Sequence, residues 1–338
     1  MPRIEVSRRS LIAAGAALPL VGILSRRGYA AEFTLKYATG QDPTHPLNVR
    51  GQEAIDRIRT ATNGRVDMKL FPANQLGSDT DLLPQVRSGW VDFFNLSTSI
   101  LATLVPACGI PNIGFAFKDY DAVWQSMDGK LGDYIRGEIT KSGIIPVAKM
   151  QDNGFRQITT STHPITKPDD LKGFKIRVPH APILASLFAL LGARPTLINF
   201  NEVYSALQTK IVEGQENPLA IIATTRLYEV QKFCSMTSHV WDGYWILGNR
   251  RAWANLPPDI QKIVTAEFDQ SCLEERADVA KLSDTLRQDL SGKGLQFNDV
   301  DRDSFRNALR QTSFYKHWRA KFDDKAWSLL EATSGALT

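Results

Sequence analysis

The chain has 338 residues, with 40 lysines and arginines against 36 aspartates and glutamates, 43% hydrophobic and 22% charged. That balance excludes intrinsic disorder and collagen-like repeats, and the length suggests about two folding units. Three widely spaced cysteines, Cys108, Cys234 and Cys272, build neither a disulfide framework nor a cysteine-rich zinc site, so free buried thiols are expected.

The first thirty residues read as a cleaved export signal. Ser7-Arg8-Arg9-Ser10-Leu11-Ile12 matches the twin-arginine pattern, an apolar run extends from Leu11 to Leu24, and Gly28-Tyr29-Ala30 offers small residues for cleavage. The run is too short to span a bilayer and is interrupted by Pro19. Removing residues 1–30 takes away five arginines and one glutamate and leaves 35 residues of each sign. The expected product is neutral and periplasmic, with nothing to recommend nucleic acid or an anionic membrane as a partner.

From Phe33 the pattern alternates strand and helix. Phe33–Tyr37 has period two; a helix from Pro46 carries Leu47, Ile55 and Ile58 on one face and stops at Asn63-Gly64; Val66–Phe71 is a strand. A helix from Asp79 to Gly89, a strand Val91–Leu96, helices around Ala122 and Tyr134 and a strand Ile144–Ala148 follow. The rhythm restarts with a strand Phe174–Val178, a helix Ala181–Leu191 closed by Gly192, a strand Leu197–Phe200 and a helix capped by Asn201 that carries Val203, Tyr204 and Leu207. Pro257-Pro258-Asp259 opens a helix to about Leu290, roughly 50 Å long, which must cross between lobes or project. Strands alternating with helices predict an α/β protein with mostly parallel sheets flanked by helices.

Local signatures of catalysis are missing. The histidines at 45, 163, 180, 239 and 317 have no partner at HExxH spacing, and no CxxC, GxSxG, GxxxxGK[ST] or GxGxxG occurs. No metal, cofactor or catalytic residue is expected. Asp299-Val300-Asp301-Arg302-Asp303 begins like a calcium loop, but Ser304 and Arg310 stand where Gly and Glu are needed; these aspartates are read as turn and cap residues of a helix near Ser304. Trp241, Tyr244 and Trp245 are either pocket or core.

Three stretches narrow the function. Asn153-Gly154-Phe155-Arg156 precedes Lys167-Pro168-Asp169-Asp170-Leu171-Lys172-Gly173-Phe174-Lys175-Ile176-Arg177-Val178-Pro179, then come Phe200–Gln208 and Val212-Glu213-Gly214-Gln215-Glu216-Asn217-Pro218. In this order, with Gln75-Leu76-Gly77, Gly89-Trp90-Val91-Asp92, Leu227–Phe233 and Leu256-Pro257, they resemble the solute-binding subunit of tripartite ATP-independent periplasmic (TRAP) transporters, the DctP family. The resemblance implies a two-lobed periplasmic binding protein fold with a long helix spanning both lobes. It also implies capture of an organic acid anion between the lobes and delivery to small and large integral membrane subunits driven by an ion gradient. The expected lobes are 31–152 with about 243–282, and 153–242 with about 283–330.

By resemblance, Arg177 forms a paired salt bridge to the ligand carboxylate. Independently, a guanidinium offers two parallel donors to two carboxylate oxygens, and alternation puts Lys175 and Arg177 opposite the apolar face of Phe174, Ile176 and Val178. Arg156 and Asn217 fall on positions that contact ligand in relatives. Lys210 departs from the glycine usual there and Glu213 from an aspartate, which suggests a different local turn. Specificity is expected from Gln41, His45, Ser97, Thr98 and Ser99, and from Trp241 and Tyr244. A neutral Ser97 argues against sialic acid, whose binders in the family carry a glutamate nearby. Glu216 and Asp152 are expected to repel dianions. A binding protein for an ATP-driven importer or a sensor, and an exported hydrolase or lyase, remain the alternatives.

Overall fold

The computed structural model describes residues 31–337; the export-signal reading of residues 1–30 lies outside the described residues. Among the described residues twelve strands form two sheets. The strands are β1 (Phe33–Thr39), β2 (Val66–Phe71), β3 (Phe93–Ser97), β4 (Ile144–Pro146), β5 (Gln151–Phe155), β6 (Gln157–Thr160), β7 (Lys175–Val178), β8 (Arg194–Leu197), β9 (Gly214–Asn217), β10 (Phe233–Met236), β11 (Trp241–Asn249) and β12 (Gln296–Asp299). The first sheet has the order β2-β1-β3-β11-β4, with β5 also paired to β11; the second has the order β12-β10-β6-β9-β7-β8.

Both sheets are mixed, where the alternation suggested mostly parallel ones. β11 runs antiparallel to β3, β4 and β5, and β6 runs antiparallel to β9 and β10. The reason is chain routing: β5 continues into β6 of the other sheet through Arg156 alone, and the chain returns through Thr237–Val240 into β11. Strands that enter a sheet from the opposite lobe arrive against its prevailing direction.

Helix ends follow their local chemistry. The helix Pro46–Ala61 is capped by the His45 ring, whose Nδ1 accepts from the Leu47 N–H. Ser78 and Asp81 form a reciprocal capping box on the helix Asp79–Ser88, which Gly89 ends in a left-handed conformation. Asp301 caps the helix Arg302–Arg310. Asn201 caps nothing; it lies in a short 3-10 turn, Phe200–Glu202, before the helix Val203–Gln208. The strand expected over Leu197–Phe200 is instead Arg194–Leu197, an edge strand, and Leu197 is exposed. Phe200 is apolar because it faces the cleft described below, not a sheet core.

The long helix runs Pro258–Gly292. Ile260, Val264, Phe268 and Cys272 pack with Leu35, Tyr37, Ile55 and Ile58 against the first sheet. Leu286 and Leu290 pack with Val203, Leu207, Ile222 and Cys234 against the second. One helix thus anchors in both cores. A third apolar cluster joins the lobes through Ile183, Leu184 and Phe188 on one side and Phe94, Ile110 and Trp327 on the other. The helix Asp324–Ser334, counted with the second lobe on position in the chain, packs on the helices Tyr120–Met127 and Lys130–Lys141, which follow the first sheet's β3.

Lys210 adopts φ +60°, the left-handed region, so its turn keeps the conformation that a glycine would favour. All three cysteines are buried and unpaired. Among the described residues no helix is long and apolar enough to cross a membrane.

Candidate functional site

The ends of β1, β3, β7, β9 and β11 converge on one cleft. Its deep part is a cavity lined on the first-sheet side by Gln41, Asp79, Ser97, Ser99, Ile100, Asp242 and Tyr244. The opposite side supplies Arg177, Pro179, Phe200, Asn217 and Ile221, with Arg156 at the crossover between them. Crevices outside strand ends where the chain changes sheet are where open α/β folds bind ligands. A wider outer space shares Phe200 and is lined by Asp42, Asn74, Asn201 and Tyr204 among others.

Arg177 is 2% exposed. Its Nε and Nη2 both donate to the Ile198 carbonyl, at 2.9 and 2.7 Å, which fixes the plane of the guanidinium and leaves the Nη1–Nη2 edge without an acceptor among the described residues. Burial lowers its pKa to about 10, still charged at neutral pH. Phe200 lies under it, ring centroid to Cζ 6.0 Å.

Arg156 is committed inside the protein. It forms a fork with the Glu216 carboxylate, donates from Nη2 to the Glu216 carbonyl at 2.7 Å and to Asn217 Oδ1 at 3.0 Å, and donates from Nη1 to Asp242 Oδ2 at 3.1 Å. The paired carboxylates outweigh its desolvation and hold its pKa above the usual arginine value. Glu216 also meets His239 Nε2 at 3.2 Å; the Arg156 charge keeps its pKa low despite burial.

Asp242 was not singled out by sequence reasoning, yet it organises the first-lobe wall. Oδ1 is within bonding distance of Thr98 Oγ1 (2.8 Å) and Asn112 Nδ2 (3.2 Å), Oδ2 of Ser97 Oγ (2.7 Å) and Asn153 Nδ2 (3.0 Å). The available signal was its setting: an aspartate in the otherwise apolar strand Trp241–Asn249, fully buried, must find several donors. Asp79 was read only as a helix start. It is buried beside Arg177, accepts from Asn74 Nδ2 at 3.3 Å, and burial raises its pKa to about 6.

The structure brings Arg177, Arg156, Asn217, Ser97, Gln41 and Tyr244 to one cavity. It places three other candidates outside the lining. His45 is a buried cap. Thr98 points to Asp242 from behind Ser97. Trp241 is core: its indole donates to Asp152 Oδ1 at 2.8 Å and its rings meet Phe117 and Trp124 edge-on. Trp245 is likewise buried, under the Arg136 guanidinium. Gly154 has φ +110°, a backbone conformation that only glycine holds without strain at this crossover.

Residues 43–319 match the model of the DctP family, bacterial extracellular solute-binding protein, family 7. The C4-dicarboxylate-binding periplasmic protein DctP of Rhodobacter capsulatus is 32% identical over 257 residues, 76% of this chain and 77% of that protein. An uncharacterized protein of Sinorhizobium fredii, y4mM, is 31% identical over 307 residues, 90% of this chain; the chain spans 56% of that protein's length. The crystal structure of a TRAP periplasmic solute binding protein from a Polaromonas species, bound to D-erythronate, has a TM-score of 0.84 at 28% identity and covers 90% of this chain and 99% of that one. With its two α/β lobes, its spanning helix and a family match over most of its length, the chain belongs to the DctP family of bacterial extracellular solute-binding proteins.

Proposed function

We propose that this protein captures an organic acid anion between its lobes in the periplasm and delivers it, chemically unchanged, to the small and large membrane subunits of a TRAP transporter. The reading rests on one observation above others: Arg177 presents an unpaired guanidinium edge to a cavity whose lining comes from both sheets. A carboxylate matches that edge with two parallel charge-assisted bonds, and a dry cleft strengthens them. Because the lining is split between lobes, a bound solute favours the closed form over the open one, and the closed form is what the membrane subunits would recognise.

In this reading Arg177 is the anchor, while Asn217, Gln41, Ser97 and Tyr244 address the rest of the solute. Arg156 shapes the crossover, and His45, Thr98 and Trp241 support the wall from behind. The lobes are 31–152 with about 243–282 and the helix Asp324–Ser334, and 153–242 with about 283–323, and the twin-arginine segment of residues 1–30 directs export before cleavage. The polar first-lobe wall, with both tryptophans outside it, supports a small hydroxylated acid over an aromatic one.

A thermal-shift screen of protein refolded free of solute, against organic acids and neutral sugars, tests the proposal. A native-state ligand at a hundredfold excess over its Kd stabilises by about 2.7 kcal/mol. Stabilisation confined to carboxylates is expected; a response to neutral sugars alone would sink the reading.

A further inference from the structure

The two walls of the cavity differ in hydrogen-bonding sense. On the second-lobe wall the uncommitted groups donate: the Nη1–Nη2 edge of Arg177, and the Asn217 amide, which has a second N–H beyond the one given to Gln215 Oε1.

The first-lobe wall is richer in acceptors. Ser97 Oγ stands 2.7 Å from Asp242 Oδ2, and a carboxylate oxygen only accepts, so the Ser97 proton is committed there. The Ser97–Ser99 contact at 2.7 Å must then be donated by Ser99, and Ser99 is left with lone pairs alone to offer the cavity. Gln41 gives one amide N–H to the Tyr244 oxygen at 2.7 Å and keeps a second, and its Oε1 is buried with no partner among the described residues. Asp79 and Asp242 add two carboxylates to the same lining. Tyr244, which accepts from Gln41, keeps its own proton as a donor on this wall.

Charge follows the same division. Arg156 cannot serve as a second anchor, because Glu216, Asn217 and Asp242 already hold it. The acidic pair expected from the sequence to repel dianions is elsewhere: Glu216 is tied to Arg156 and His239, Asp152 to the Trp241 indole, and neither lines the cavity.

Resting on the carboxylate-binding reading above, we propose that the solute is a monocarboxylate whose far end carries hydroxyl groups, and that Asp242, with Asp79, is the determinant that turns away a second carboxylate. Hydroxyls donate to Ser99 Oγ, Gln41 Oε1 and Asp79. Asp242, whose oxygens already accept from Thr98, Asn112, Ser97, Asn153 and Arg156, acts through charge, because the single Arg156 cation is shared between it and Glu216. A second carboxylate brings only acceptors and a like charge to this wall.

The test compares erythronate, butanoate and succinate by calorimetry on the full chain refolded free of solute. Erythronate is expected to bind at least about 100-fold tighter than either of the others, since sites built to bond a hydroxyl reject analogues that lack it. Asp242→Asn, which keeps one acceptor oxygen and neutralises the charge, is expected to raise succinate affinity at least about 10-fold relative to erythronate. Should that variant fail to fold, Ser99→Ala removes the outward lone pairs together with the bond to Ser97 Oγ, and is expected to weaken erythronate about 10-fold without changing butanoate. Succinate binding as tightly as erythronate to the wild-type protein would overturn this inference and leave carboxylate capture standing. No binding of any acid in a wide panel would overturn both.

Discussion

Arg177 donates twice to the Ile198 carbonyl, from Nε at 2.9 Å and from Nη2 at 2.7 Å. The bond orients the guanidinium and gives the residue a structural role beside the binding role proposed for it. Truncation would leave a buried carbonyl without a partner, at about 1–3 kcal/mol. Arg177→Ala is therefore expected to lower the melting temperature of the empty protein and abolish solute binding. Arg177→Lys retains one donor but loses the fork; its empty form should melt close to wild type while affinity for the solute falls about 100-fold or more. Unchanged affinity in the lysine variant, measured by calorimetry, would remove Arg177 from the site.

Asp79 contributes a pH-dependent burden on the empty protein. Its folded pKa is raised by burial to about 6 from 3.8. A raised carboxyl favours the protonated folded form, so the stability loss is absent below about pH 4, grows between about pH 4 and 6, and is constant above, amounting to about 3 kcal/mol by linkage. Asp79→Asn, which keeps an oxygen for Asn74, should raise the melting temperature at pH 7.5 and do little at pH 4. Equal stabilisation at both would show that the carboxyl is not titrating there.

Glu275 of the long helix faces the crossover strand β5, where its Oε2 accepts from the Asp152 N–H at 2.9 Å and its Oε1 has no partner among the described residues. Burial, reinforced by Asp152, raises its pKa well above the usual carboxylate range, and burial brings Asp152 itself to about 7. Ionising either group in the folded state is unfavourable, and the penalty grows as pH climbs from the unfolded value toward the folded one. Glu275→Gln should thus stabilise more at pH 8 than at pH 5 in paired thermal melts; the reverse order would contradict the assignment.

Cys108, Cys234 and Cys272 are fully buried, and burial raises each thiol's pKa. Thiolate is the reactive form. An aromatic disulfide reagent should titrate essentially no thiol in the native protein and all three in denaturant. Fewer than three on unfolding would mean that a pair is oxidised.

The sequence by itself determined the strands β1, β2, β3, β4 and β7, the long helix, and the position of the arginine proposed as anchor, but not the short strands β5, β6, β9, β10 and β12. Each of these is written locally, in a period of two or 3.6 residues, a cap, or the run Lys175-Ile176-Arg177-Val178-Pro179. The tertiary structure alone decided which polar residues face the solute. Alternation says that Trp241 and Asp242 are buried on opposite faces, but not that one face is core and the other cavity. That follows from partners 145 positions away, as in the bond from Ser97 to Asp242, and from the bond between Arg156 and Asp242 across the crossover. The direction of β11 and the pairing of Arg156 arise where the chain passes between sheets, because a buried charge takes its partners from whatever the fold brings beside it.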